Sequence, residues 1–319
     1  MAETAAGTSA DPRGSRAALA ILLVGAVTIG FAPILVRWSR VDPTATAAWR
    51  LLLAGVVLWG GMARKQVNAP RARRRLGGRD CLLLAVPGLF LAGDLGLWHW
   101  SLQLTTVANA TLFCNCAPIF VALAAWLWLK ERLGWMFVPG LLLAMGGTAV
   151  MLLLKPQAAA SNIRMGDGVA LLSAVFYGGY QLSVKRLRER FSALTILSFS
   201  AVVGGAVLAV VALLTEKNLI PTTPQGYLVV VALALIIHIG GQGAIAHALG
   251  YLPASFASVS LLLQPVVAAA AGWVILNEAM GAWQAAGGVL VLAGIFLARA
   301  GSEGAGNKDS RTAGRSSPR

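Results

Sequence analysis

Five ionisable residues fall inside stretches of sequence that are otherwise apolar: Arg50, Asp94, His99, His238 and His247. Such a group costs several kcal/mol in a lipid interior unless it faces a partner or a water-filled cavity, so each is a candidate for binding or proton transfer. Asp94 stands in the middle of LFLAGDLGLWHW, and helical spacing puts it on one face with Leu91 and Trp98. His238 shares a face with Gly241 and Ile245, with Gln242 adjoining. A carboxylate and an imidazole can each take up and release a proton, or hold a charged solute. The competing role for both is an interhelical hydrogen bond that glues a bundle together. Arg50 lies a few residues inside the end of its segment. It either snorkels to the interface or serves as counterion, to Asp94 or to a solute carboxylate. His99 and Gln103 share another face, and His247 lies roughly opposite His238; both histidines read as packing or interfacial residues. Trp98, Trp100, Tyr177 and Tyr180 either line a route for a planar or apolar solute or anchor helix ends at the interface.

The elements that must position these groups are transmembrane helices. Hydrophobic residues make up 57% of the chain and charged ones 12%, and the mean hydropathy is +0.73. A soluble domain is nearer half apolar and a quarter charged. Long continuous apolar runs, and not short alternating segments, recur from end to end, which predicts helices and excludes a β-barrel. Ten spans are expected, at 18–37, 45–63, 81–103, 107–129, 135–154, 167–184, 192–214, 226–249, 254–276 and 282–300. Arg13 and Arg16 before the first run resemble a signal peptide, but its length and the spans that follow favour an uncleaved helix. The tails, 1–17 and 301–319, are rich in Gly, Ser, Ala and charge and read as disordered, and 155–166 reads as a linker.

The net charge of +14 follows the positive-inside rule. With both termini cytoplasmic, most Lys and Arg fall on the inner side. The PRARRR cluster in the 64–80 loop suits anionic lipid headgroups better than nucleic acid, which is not expected as a partner. Cys81, Cys114 and Cys116 lie in or at the edge of spans and read as structural thiols. Cys114 and Cys116 diverge by roughly 200° on a helix, so they cannot easily share a metal. No metal or other cofactor is expected, and no P-loop is present.

The chain repeats itself. APIFVALAAWLWLKE, ending at Glu131, and QPVVAAAAGWVILNE, ending at Glu278, align at a shift of 147 residues. Pro118/Pro265, Trp126/Trp273 and Glu131/Glu278 coincide, and the register continues through Gly134/Gly281, Gly140/Gly287 and Gly147/Gly294. The shift moves each segment by five spans, an odd number, so the second copy crosses the membrane in the opposite sense. Loop charges agree: Lys130 and Arg132 flank Glu131, whereas no basic residue adjoins Glu278. The expectation is an all-α integral membrane protein of ten transmembrane helices, built as two inverted five-helix repeats at 18–154 and 167–300. Inverted repeats are a transporter signature, because two such halves can rock about one midplane site. Pro118 and Pro265 should kink corresponding helices and act as gate elements. Glu131 and Glu278 are expected to satisfy the exposed amides where the next helix starts, at Gly134 or Gly281.

The motif Pro118…Trp126…Glu131-x-x-Gly134, repeated as Pro265…Trp273…Glu278-x-x-Gly281, resembles the EamA-type branch of the drug/metabolite transporter superfamily over about residues 18–300. Arg50 also suits that family. The resemblance implies a bacterial inner-membrane exporter of small metabolites, commonly amino acids or drugs. Many relatives carry a Glu before the second proline where this chain has Gln264, so a carboxylate that could bind a proton there is missing. The candidate substrate or proton site is therefore Asp94, His238, Gln242, Arg50, Trp98, Gln264 and Tyr177. Its partners would be a small solute and a coupling proton, and the oligomeric state is unspecified. Two alternatives stand beside a transporter: an intramembrane transferase acting on a lipid-like substrate, and a non-transporting receptor or scaffold.

Overall fold

The computed structural model describes residues 12–68, 76–153, 163–277 and 280–313. PRARRR, most of the 155–166 linker and Glu278 lie outside the described residues. Everything regular in the described residues is helical. The first span is α1 (Pro12–Gly30) and α2 (Ala32–Trp38), the second α3 (Pro43–Asn68) and the third α4 (Gly78–Leu104). The fourth is α5 (Val107–Cys114) and α6 (Ala117–Leu127), and the fifth α7 (Phe137–Leu153). The second half begins with α8 (Ile163–Leu187) and α9 (Ala193–Thr215). The eighth span is α10 (Pro224–Ala232), a π-helical segment (Leu233–Gln242) and α11 (Gly243–Ala248). The ninth is α12 (Ala254–Ser260) and α13 (Leu263–Leu276), and the tenth α14 (Ala282–Ala313).

Hydroxyl N-caps fix several starts: Thr106, Ser192 and Thr223 accept from Asn109 N, Thr195 N and Gly226 N. Helix extends further than composition suggests at both termini. α1 starts at Pro12, a residue suited to the first helical turn, and α14 runs to Ala313.

The pairing of spans repeats under a five-span shift. Spans 3 and 6 pack as spans 8 and 1 do, spans 4 and 6 as 9 and 1, and spans 3 and 7 as 8 and 2. Three pairs, 2–7, 4–9 and 5–10, map onto themselves. These self-mapped pairs lie along the pseudo-twofold axis. The glycines of the repeat explain one of them: a Cβ on Gly147 would sit 2.6 Å from the Gly287 carbonyl oxygen, and one on Gly294 2.6 Å from that of Gly140. Only glycine lets α7 and α14 approach so closely.

The spans that carry Pro118 and Pro265 are both broken helices. The fourth span breaks after Cys114 and the ninth after Ser260. At both breaks the bonds tighten to the i−3 carbonyl, Cys116 N to Phe113 O (3.1 Å) and Ile119 N to Cys116 O (3.0 Å) in one copy. The other copy has Leu262 N to Val259 O (3.1 Å) and Gln264 N to Leu261 O (3.0 Å). A left-handed residue follows each helix, Lys130 (φ 55°) three residues past the end of α6 and Asn277 (φ 53°) as the C-cap of α13, and the two are again 147 apart. Irregular backbone at membrane depth persists where it is buried in protein or lines a cavity. These breaks do the second.

Candidate functional site

A cavity of about 230 Å³ lies where the breaks converge. It is walled by the α1–α2 and α5–α6 junctions, the π-helical segment, the α12–α13 junction, and residues of α3, α4 and α8. Arg50, Asp94, Trp98, Tyr177, His238, Gln242 and Gln264 all line it, as do Pro118 and Pro265. The two halves therefore contribute jointly to one chamber. His99 and His247 stay outside the lining; their rings lie 5.1 Å from Trp98 and Tyr251 respectively. Trp100 is exposed on the outer surface of the bundle.

α4 delivers Asp94, one turn below Trp98. Its Oδ1 accepts the Ser173 hydroxyl of α8 at 2.7 Å, with the Cys114 thiol 3.9 Å away. Cys114 is thus a cavity residue beside the carboxylate, whereas Cys116 turns to the Leu112 carbonyl at 3.6 Å. Arg50 reaches in from α3. Its Nε is buried without a hydrogen-bond partner, and no ion pair engages it among the described residues. Arg50 therefore faces the chamber and does not snorkel outward. Opposite, the π-helical stretch widens the eighth span and brings both His238 and Gln242 to the wall. The Tyr177 ring stacks on Tyr180 below it, centroids 6.2 Å apart and planes 7° from parallel.

Sequence reasoning missed Gln181, Ser258, Thr111 and Ser173. The first three line the cavity, and Ser173 fixes Asp94. Gln181 carried a usable signal, since an amide in the middle of a span needs a partner or water. Asn115 lines the cavity while donating to the Thr111 carbonyl at 2.7 Å. Asn109 instead bonds the Asp167 carboxylate of α8 at 3.2 Å.

The two ends of the chamber differ. Toward the Glu131 end, Leu22, Val121, Tyr180, Val184, Leu249 and Phe256 form a continuous buried plug. Below it the Glu131 carboxylate accepts from Ala254 N (2.7 Å), Ser255 N (3.1 Å) and Ser255 Oγ (2.7 Å). This corrects the expected partner: Glu131 satisfies α12 in the opposite half, and not the helix that follows it. The N-cap of α12 is Pro253, which has no side chain able to accept from those amides, so a carboxylate from another span fills the role. Lys185 adds a bond to the Leu252 carbonyl at 2.8 Å. The cavity occupies the other half of the bundle, reaching Pro33, Arg50 and Trp98.

The EamA-like transporter family matches the chain twice, over residues 16–153 and 164–300. The chain belongs to this family. Each of its five-span halves is one copy of the family unit, which gives the repeat of Glu131 at Glu278 its origin. Among relatives, a Streptantibioticus cattleyicolor protein named "Probable terminal-alkyne amino-acid exporter" is 27% identical, the match covering 78% of this chain and 81% of that one. The "Pseudopaline exporter CntI" of Pseudomonas aeruginosa is 28% identical over 68% of this chain and 75% of the relative. A solved structure titled only "Crystal structure of protein" superposes with a TM-score of 0.76 at 20% identity, covering 89% of this chain and 96% of that one. It supports the fold. This EamA-like protein is a multi-pass membrane transporter with a small-molecule solute.

Proposed function

We propose that this EamA-like transporter is a secondary exporter of small metabolites, amino acids or related compounds, working by alternating access. It would sit in a bacterial inner membrane with both termini cytoplasmic. The observation that carries this reading is one largely apolar chamber with a few polar groups in its wall, shared by two inverted halves and plugged at the Glu131 end. The chamber and the plug occupy opposite halves of the bundle, as an outward-facing state requires. Rocking the halves about the 2–7, 4–9 and 5–10 pairs would exchange plug and chamber. The relatives named as exporters of amino-acid and pseudopaline solutes support the direction.

Asp94 is the proposed coupling-proton site, facing Arg50, Cys114, Tyr177 and His238, and His238 is its partner across the chamber. A proton there would neutralise the carboxylate while solute leaves. The test is flux through purified protein in liposomes, with a panel of amino acids and an imposed pH gradient. Asp94→Asn is expected to abolish gradient-driven transport, by at least about tenfold, and to leave solute exchange running. Unchanged gradient-driven uptake in that variant would return Asp94 to a packing role.

A further inference from the structure

We infer that Ser173 is the positioning residue of the Asp94 site: its hydroxyl holds one carboxylate oxygen, Oδ1, and reserves the other, Oδ2, for the proton. This rests on the coupling role proposed for Asp94 and names the atoms that carry it. Most hydroxyls within the spans bond a carbonyl of their own preceding turn, as Thr28, Thr148, Ser198 and Ser260 do at 2.7–3.0 Å. Ser173 is fully buried and reaches across instead, from α8 to Asp94 Oδ1 of α4 at 2.7 Å. The Cys114 thiol approaches the same oxygen, at 3.9 Å, as a weak donor. Among the described residues no hydrogen bond engages Oδ2, so it is the oxygen left open to the chamber that Asp94 lines.

The repeat shows that packing does not require this pair. Shifted by 147 residues, Asp94 becomes Gly241 and Ser173 becomes Ala26. Gly241 lies in the equivalent contact of spans 8 and 1: a Cβ on it would sit 2.8 Å from Ile29 Cγ1, and one on Gly25 2.8 Å from the Gly241 carbonyl oxygen. Ala26 is buried alongside. Small apolar residues therefore suffice where these helices meet, whereas spans 3 and 6 place a carboxylate and its donor at the same point. Burying both away from bulk water is costly, which an ionisable site requires and a helix contact does not. The titratable and charged groups around Asp94 are Arg50 on α3, Cys114 on α5, Tyr177 and Tyr180 on α8 and His238 in the π-helical segment, with His99 farther along α4. α9 also packs on α4 but carries none. The Ser173 hydroxyl suits both protonation states. It makes a charge-assisted bond to the carboxylate, and once Oδ2 carries a proton, Oδ1 is a carbonyl oxygen that still accepts from it.

Infrared difference spectroscopy of the purified full-length protein through a pH titration reads the Asp94 carboxyl without any solute. Its C=O band is identified by its absence in Asp94→Asn. Ser173→Ala should raise the pH at which that band reaches half height by about one unit or more, because the carboxylate loses a bond stronger than the one its neutral form loses. It should also move the band to higher frequency, the mark of a carbonyl without its donor. Ser173→Thr keeps the hydroxyl and is expected to restore both readings, and Cys114→Ala should move each of them less. Ala26 fills the equivalent position in span 1, so Ser173→Ala is expected to fold. Ser173→Cys, of nearly the same size and a weaker donor, gives the same comparison if it does not. An Asp94 band unmoved in pH and in frequency by loss of the hydroxyl overturns the inference and leaves the coupling reading in place. So does a shift that Ser173→Thr repeats in full. If no Asp94 band appears at any pH where the protein stays folded, the carboxyl exchanges no proton, and the coupling reading falls together with the inference.

Discussion

At the end of the bundle opposite Glu131, single carboxylates also tie the halves together. Asp42 accepts from Lys217 N (3.1 Å), Asn218 N (3.0 Å) and Asn218 Nδ2 (3.3 Å), and Glu216 accepts from Thr44 N and Ala45 N at 2.8 and 2.7 Å. The Asn218 backbone N–H holds the Asp42 carboxyl below its ordinary value of 3.8, with smaller help from the Asn218 side chain and Lys217 N–H against a burial effect that opposes them. A depressed folded-state value stabilises the fold above the unfolded-state value and loses that stability as pH falls through the folded one. The window is therefore below about pH 4. Melting temperature should fall by a small amount more between pH 5 and 3 in the wild type than in Asp42→Asn. Identical acid sensitivity of the two would show that the clasp adds nothing. The same scale shows what sequence can and cannot expose. Asp94, His238 and Gln242 were legible because a charged or amide group in an apolar run is anomalous by itself. Ser173, Thr111 and Ser258 were not, because a small hydroxyl in a span satisfies itself on the preceding turn, as Ser258 Oγ does on the Ser255 carbonyl at 2.8 Å.

At the scale of elements, the repeat specifies how closely helices approach as well as where they bend. Gly147 meets the Gly287 carbonyl, but its neighbour Gly146 points into open space, with nothing within 4 Å of an added Cβ. Adjacent glycines thus make a matched pair of experiments. Gly147→Leu should destabilise by about 1–3 kcal/mol through overpacking, whereas Gly146→Leu should leave the melting temperature nearly unchanged. Equal effects from the two would mean that the close α7–α14 contact does not hold the protein together. The proline breaks were readable because proline lacks a donor wherever it stands. The π-helical stretch was not, since LALIIHIGGQ contains no residue that forbids an α-helix; it becomes visible only through packing against α1 and α3. Its counterpart by the 147-residue shift contains Pro87. The two halves thus loosen equivalent spans by different means, one with an imino acid and one with a wider turn. α8 is the least apolar of the spans, since Tyr177, Tyr180 and Gln181 occupy its middle where other helices carry Leu and Val. Tyr177 and Gln181 line the chamber and Tyr180 lies in the plug beside it, so the polarity that weakens α8 as a span equips it as a wall.

At the scale of the molecule, one physical relation organises the rest: the second half is the first turned over in the bilayer. The left-handed residues make it testable without any solute. Lys130 and Asn277 hold equivalent positions in the two halves, share a backbone conformation within 2° in φ, and follow equivalent helices. Inversion puts them on opposite membrane faces, and it also explains why one is a lysine two residues from an arginine while the other has no basic neighbour. Neither residue is buried, so cysteine placed at either site is reachable from water. In a chain whose three native cysteines are replaced, Lys130→Cys should react with a membrane-impermeant maleimide from one side only, and Asn277→Cys from the other only. The left-handed conformation favours residues without bulk near the backbone, and cysteine is small enough to enter it at a cost of about 1–2 kcal/mol. Labelling of both from the same face would refute the inverted architecture. With it would go the shared chamber and the pairing of Glu131 with the far half, because spans 4 and 9 run antiparallel only if the halves oppose each other. Labelling from opposite faces would instead make the difference between the two copies of the motif a record of which solvent each one meets.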